Sequence, residues 1–327
     1  MSTSRLSLAV ESGQIELPSE GRIAIFAPTA GFDLSALPRD RVQVVTGLKP
    51  DFDAFQIAGY DVSVAAEGPY AAAIVCLTRA KTEARALLAT AEGMADLIII
   101  DGQKTDGVDS MLKDCKKRAD VLGSFSKAHG KLFWFENGDF EDWVEAGPSQ
   151  VAEGFVTRPG VFSADGIDPA SAALVAALPE KLGRQVADLG AGWGYLSKSI
   201  LERSDVESLY LIEANHAALE CARENLTDSR ADFHWADATV WEPRAKMNTV
   251  VMNPPFHSGR AADPGLGRAF IAAAARMLAP NGSLWMVANR HLGYETTLET
   301  LFTKVEEVSG DNRFKILRAD RPTRSGR

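Results

Sequence analysis

Asn253-Pro254-Pro255-Phe256 directly follows the apolar run Val250-Val251-Met252. Two consecutive prolines donate no backbone hydrogen bond and hold the chain extended. The side-chain oxygen of Asn253 and the carbonyl of Pro254 can each accept one hydrogen of an amino group. Such an amine on a ring is a poor nucleophile, because its lone pair is delocalised. Two acceptors push the nitrogen toward tetrahedral geometry and aim the lone pair at an electrophilic carbon held in line. Phe256 can stack on the ring that bears the amine. His257 comes next, with substrate binding, orientation and a structural role all open to it. Chemistry of this kind depends on positioning and fixed dipoles more than on a strong base. Taken alone, Asn-Pro-Pro is also compatible with a simple rigid turn.

A second cluster lies upstream, in Asp188-Leu189-Gly190-Ala191-Gly192-Trp193-Gly194-Tyr195. Glycine suits tight turns of positive φ and lets backbone approach a flat ligand. The dinucleotide fingerprint G-x-G-x-x-G would require its third glycine where Tyr195 stands. The pattern D-x-G-x-G-x-G instead resembles motif I of Rossmann-like methyltransferases. Glu213 closes the next apolar run, where a carboxylate can accept bonds from both hydroxyls of a cofactor ribose. Asp237, in Trp235-Ala236-Asp237-Ala238, closes the third, in reach of an adenine amino group, with Ala238 beside it. A nucleoside-bearing cofactor fits all of these positions.

The elements that must hold these residues alternate strictly. Strands are expected at 185–189, 209–213, 231–236, 249–253 and 283–288, and helices at 195–203, 217–225, 267–278 and 294–302. VEEVS and FKILRA add two more strands. The result is a seven-stranded, open, doubly wound α/β sheet. Asp168 can cap a helix whose first turn holds Pro169. The first half also alternates, with buried strands at 23–27, 42–45, 62–66, 72–77, 97–100 and 131–135 and helices at 81–94 and 108–119. No glycine-rich turn follows any of them, so this half reads as a scaffold or substrate-binding unit. Between Gly138 and Gly160 charges, glycines and prolines mix without periodicity. A boundary there separates domains 1–145 and 146–327.

Composition narrows the rest. At 327 residues two domains are expected, and 46% hydrophobic with 24% charged residues is globular. No apolar run approaches the roughly 20 residues of a membrane span, and the apolar stretch at 6–10 is too short for a signal peptide, so a cytoplasmic protein is expected. Cys76, Cys115 and Cys221 lie far apart and the histidines show no paired metal spacing, so neither a disulfide framework nor a metal is expected. The net charge of −9 argues against a protein that coats nucleic acid indiscriminately. It leaves room for local basic patches, one around Lys113–Lys131 and one from Arg313 to Arg327.

Residues 159–319 resemble the bacterial ribosomal RNA guanine-N2 methyltransferases of the small-subunit methyltransferase C family. The resemblance rests on PGVFSADGIDPASAALVAALP, VADLGAGWGYLS, NPPFHSG, AFIAAAARMLAPNGSLWMVANRHLGYE and RFKILRA. It implies S-adenosylmethionine as cofactor and the N2 amine of a guanine in ribosomal RNA, of the small subunit, as acceptor. Asn253, Pro254, Pro255 and Phe256 would be catalytic, and Asp188, Gly190, Gly192, Gly194, Glu213, Asp237 and Ala238 would bind the cofactor. Phe256, His257 and Tyr294 would bind the substrate. It also implies two tandem Rossmann-like methyltransferase domains, the N-terminal one degenerate; because such a tandem can serve in place of a dimer, a monomer is expected. Gly293 departs from the family's L-P-Y-E segment, which has proline there. Adenine N6, a protein glutamine or a small-molecule amine are alternative acceptors, and a non-catalytic RNA-binding factor is the alternative of another class.

Overall fold

The computed structural model describes residues 4–145, 147–255 and 264–323. The chain divides into two compact units, Met1–Gly147 and Pro148–Arg327.

In the first unit, β1 (Ile23–Phe26), β2 (Val42–Val45), β3 (Asp61–Ser63), β4 (Tyr70–Cys76), β5 (Ala95–Gln103), β6 (Ala119–Lys127) and β7 (Gly130–Gly138) form one sheet. Their order is β3-β2-β1-β4-β5-β7-β6. The five strands up to β5 run parallel, and the last pair is antiparallel. Helices α1 (Arg5–Glu11), α2 (Lys49–Ile57), α3 (Lys81–Glu92) and α4 (Val108–Cys115) complete it. Successive residues of β1 feed opposite faces, Ala24 and Phe26 one core and Ile23 and Ile25 the other, as a strand period of two requires. The expected helix at 108–119 ends earlier, and residues 119–127 form an edge strand instead.

The second unit repeats the plan. A short antiparallel pair, β8 (Ser149–Gln150) and β9 (Val156–Thr157), precedes it. The sheet comprises β10 (Gln185–Leu189), β11 (Ser208–Glu213), β12 (Ala231–Trp235), β13 (Met247–Met252), β14 (Leu278–Asn289), β15 (Phe302–Gly310) and β16 (Phe314–Pro322). Its order, β12-β11-β10-β13-β14-β16-β15, is that of the first sheet strand for strand. Helices α5 (Pro169–Ala177), α6 (Tyr195–Leu201), α7 (His216–Asn225), α8 (Pro264–Met277) and α9 (Glu295–Leu301) are distributed over its two cores.

Registers make the comparison residue by residue. Phe26 pairs with Val45 and Val75 on its two flanking strands, as Leu189 pairs with Ile212 and Met252. Aligned on that last rung, Ile25 stands where the second unit has Asp188, Ala27 where it has Gly190, Thr46 where it has Glu213, and Cys76 where it has Asn253. The backbone survives where the side chains do not. Ala27 N donates to Val45 O at 2.8 Å, just as Gly190 N donates to Ile212 O at 2.8 Å. The first unit is a degenerate copy of the second. Among the described residues no helix is long and apolar enough to cross a membrane.

Candidate active site

The glycine loop leaves the carboxyl end of β10 with Gly190, Gly192 and Gly194 at φ of 75°, 56° and 93°. Each lies in the left-handed region that side chains disfavour. A Cβ on Gly194 would sit 3.0 Å from Leu226, so the third glycine lets the loop close against α7. A Cβ on Gly192 would meet nothing within 4 Å. That opening is a cradle with room for a ligand.

Two acids stand behind the loop. Asp188 is fully buried; its Oδ2 accepts from Ser197 Oγ at 2.7 Å, and its Oδ1 has no partner among the described residues. Burial pushes its carboxyl up to about 7, against the Ser197 bond, with the negative charge of Glu213 adding to the rise. Glu213, also raised by desolvation, accepts from Gly192 N at 2.8 Å and from Asn215 N at 2.7 Å. It straps the loop while the carboxylate as a whole keeps acceptor capacity. Asp237 Oδ1 accepts from the amide and hydroxyl of Thr239, at 2.8 and 2.7 Å, so it shapes the turn after β12. Ala238 behind it is buried in the core.

Asn253 is the first residue past β13. Its Nδ2 donates to Asp168 Oδ2 at 3.0 Å and to Ser171 Oγ at 2.8 Å. A carboxylate only accepts, so the amide nitrogen must face it. The opposite atom, Asn253 Oδ1, is buried and has no partner among the described residues. Such an acceptor costs about 1–3 kcal/mol, and a fold that keeps one beside a cleft holds it ready for a donor. Asp168 also caps α5, accepting from Ser171 N at 2.8 Å. One carboxylate therefore starts a helix and orients the amide. Pro254 is buried and Pro255 exposed; Phe256 and His257 lie outside the described residues.

The glycine loop, Asp168, Ser171 and Asn253 share one cleft, lined by Phe162, Asp168, Gly190, Gly192, Tyr195 and Asn253 among others, whereas Asp188, Glu213 and Asp237 are not among its lining residues. Phe162, 59% exposed, stands in its wall although apolar. Its carbonyl accepts from Trp193 Nε1 at 3.0 Å. Asn225, at the end of α7, joins the loop to β9: Nδ2 donates to Trp193 O at 2.8 Å and to Val156 O at 2.9 Å, and Oδ1 accepts from Val156 N at 2.7 Å. The Phe155 ring closes this seam against Trp193 at 4.9 Å. Sequence reasoning missed Phe162, Ser171 and Asn225. The 138–160 stretch reads as a bare boundary, yet its second part packs on the glycine loop. Tyr294 falls elsewhere than a substrate contact would suggest. It is fully buried under α8, where a Cβ on Gly267 would lie 2.1 Å from its hydroxyl, so it braces the core. Gly293 has no positive φ and open space around it, so proline's absence there distorts nothing. Among the described residues no group of three or more His, Cys, Asp or Glu is placed to hold a metal ion.

Fold and cleft together define a methyltransferase of the Rossmann-like class. Residues 153–318 match the family model described as methyltransferase small domain. A ribosomal RNA small subunit methyltransferase C of Aeromonas hydrophila is 30% identical over 261 residues, 75% of this chain and 75% of that protein. The chain therefore belongs to the methyltransferase small-domain family, in the small subunit methyltransferase C group. A ribosomal RNA large subunit methyltransferase G of Ectopseudomonas mendocina is 34% identical over 171 residues, 51% of this chain. The chain spans about half of that relative, 46%. Among solved structures, a 16S rRNA N2 methyltransferase of T. Thermophilus in complex with AdoMet and guanosine superposes with a TM-score of 0.77. It is 24% identical, over 94% of this chain and 90% of that one, and supports the tandem fold.

Proposed function

We propose that this chain transfers a methyl group from S-adenosylmethionine to the exocyclic N2 amine of a guanine in ribosomal RNA, in the cytoplasm, with small-subunit RNA as its substrate. The observation that carries this reading is the buried Oδ1 of Asn253, without a partner among the described residues, on an amide clamped at its other end by Asp168 and Ser171. It is an acceptor waiting for an N–H. The cofactor fits the residues present. The space over Gly192 admits a ligand, and Glu213 and Asp237 retain acceptor capacity for ribose and adenine. When bound, S-adenosylmethionine supplies an electrophilic methyl carbon on a sulfonium. The chain's own part is to accept both amine hydrogens, at Asn253 Oδ1 and the Pro254 carbonyl. This directs the nitrogen lone pair toward that carbon and stabilises the positive charge that grows on the nitrogen, which is discharged when the methylated nitrogen releases one proton to solvent. Fixed dipoles of this kind act without reorganisation. Phe256 and His257 are proposed to hold the base.

The names of the relatives and the guanosine in the solved neighbour support the acceptor. The small-subunit assignment is favoured by the longer match, 75% of each protein. The large-subunit relative supports a second reading that differs only in address. Labelled methyl transfer to separated small and large subunits, followed by nucleoside analysis, tests both. N2-methylguanosine in small-subunit RNA is expected. Label confined to the large subunit selects the second reading, and N6-methyladenosine or unlabelled RNA overturns the acceptor. Asn253→Ala should slow transfer about 30- to 1,000-fold, the loss of roughly 2–4 kcal/mol of transition-state bonding, with cofactor affinity kept. Undiminished turnover would remove Asn253 from the mechanism.

A further inference from the structure

The carboxyl edge of the second sheet carries a polar crest that the methyl-transfer chemistry does not use. β13 ends at Met252, which pairs with Met286 of β14. β14 runs on for three more residues to Asn289, which pairs with Phe314 at the start of β16. At about 3.3 Å per residue this lifts the crest roughly 10 Å beyond the level of Met252, one strand over from Asn253. Arg290, His291, Asn312, Arg313 and Phe314 surround a shallow depression there.

Two of the charges on this crest build it. Arg290 donates to Glu307 at 2.8 Å, to Phe314 O at 3.2 Å and to Asp311 O. Asp311 accepts from Arg313 N at 2.6 Å and from Phe314 N at 2.7 Å, bonds that hold its carboxyl below the usual range. The turn is thus tied down on both sides. Arg313 is different. It has no ion-pair partner among the described residues, and its guanidinium lies 4.9 Å from the centre of the Phe314 ring. The next cations along β16 are paired, Lys315 with Glu295 and Arg318 with Asp320. In a chain of net charge −9, a cation that forms no ion pair among the described residues is a suitable contact for a polyanion.

We propose that this crest grips the RNA strand beside the target nucleotide, with Arg313 on a flanking phosphodiester and exposed His291 and Asn312 as donors alongside it. Stacking on Phe314 orders the guanidinium in advance, so little side-chain freedom is lost on contact. The proposal rests on the RNA reading of the active site.

The test compares wild type with Arg313→Ala and Arg313→Glu, using purified ribosomal subunits as acceptor at graded salt. Filter binding of the same RNA and calorimetry with S-adenosylhomocysteine accompany it. The expected result for Arg313→Ala is a roughly tenfold rise in KM and in RNA Kd, with kcat and S-adenosylhomocysteine affinity unchanged. The slope of log affinity against log salt should flatten by about 0.7, the share of one single-strand phosphate. Arg313→Glu should be weaker still. Unchanged KM, Kd and slope in both variants would overturn the crest while leaving the RNA reading intact. So would a loss confined to kcat. Wild-type protein that neither binds nor methylates RNA would overturn both, and unchanged S-adenosylhomocysteine affinity in the variants shows that they are folded.

Discussion

Asp188 lies in the interior with one oxygen satisfied and one not, its carboxyl pushed up to about 7. The unfolded chain gives up that proton near pH 4, whereas the folded chain keeps it until about 7. Between those values the unfolded state binds fewer protons, so this group's contribution to stability falls as pH rises, by up to about 1.4 kcal/mol per unit, and levels off above 7. Asp188→Asn should lack that slope. Thermal unfolding from pH 5 to pH 8 should show the variant gaining on wild type as pH rises, and parallel curves would refute the assignment. At this scale the sequence was informative where backbone demands a residue type. All three loop glycines occupy positive φ, and the Asp168 cap forms as its position before Pro169 suggests. It was uninformative where a role depends on what lies across the fold. Nothing near Asp168 in the chain announces that its carboxylate reaches Asn253, 85 residues away. Tyr294 likewise looks the same in sequence whether it faces a substrate or a core.

Elements follow the same division. Strands buried on both faces read as apolar runs, and the expected segments at 42–45 and 185–189 coincide with β2 and β10. β6 escaped because an edge strand alternates half-exposed and exposed residues, ADVLGSFSK, directly after a helical pattern. α1 has only seven residues, and α2 begins with Lys49-Pro50-Asp51, so neither offers a long periodic stretch. The β8–β9 pair is too short to carry a pattern; its position is set by Asn225 from across the unit. Asn225→Leu would remove three hydrogen bonds and leave the Val156 amide and the Trp193 carbonyl unpartnered. It should cost about 1–3 kcal/mol in denaturant unfolding and weaken S-adenosylhomocysteine binding several-fold by calorimetry. Full affinity in a destabilised variant would show that this strap does not shape the loop.

Over the whole molecule, two sheets of identical strand order carry different chemistry. The alternation in the first half was legible, and its lack of a glycine turn pointed away from a cofactor site. That it copies the second unit came from the family resemblance alone, because Ile25, Ala27, Thr46 and Cys76 keep the rungs and none of the motif. Strand order and register match where the side chains do not. The two units meet in sequence at Gly147 and Pro148, and we propose that the first serves RNA binding as a scaffold. Limited proteolysis near residues 145–150 should release two fragments, of which only the C-terminal one binds S-adenosylhomocysteine. Binding by the N-terminal fragment would contradict its degeneracy.

The clamp on Asn253 also bears on how many methyl groups one nitrogen receives. On the proposed reading, the site presents two acceptors to an amine that begins with two hydrogens. After one transfer a single hydrogen remains, and a second round would strand one buried acceptor at a cost of about 1–3 kcal/mol. Because Asp168 and Ser171 hold the amide from behind, Asn253 cannot turn its nitrogen forward to relieve that mismatch. The enzyme counts hydrogens, and its expected product is the monomethylated base.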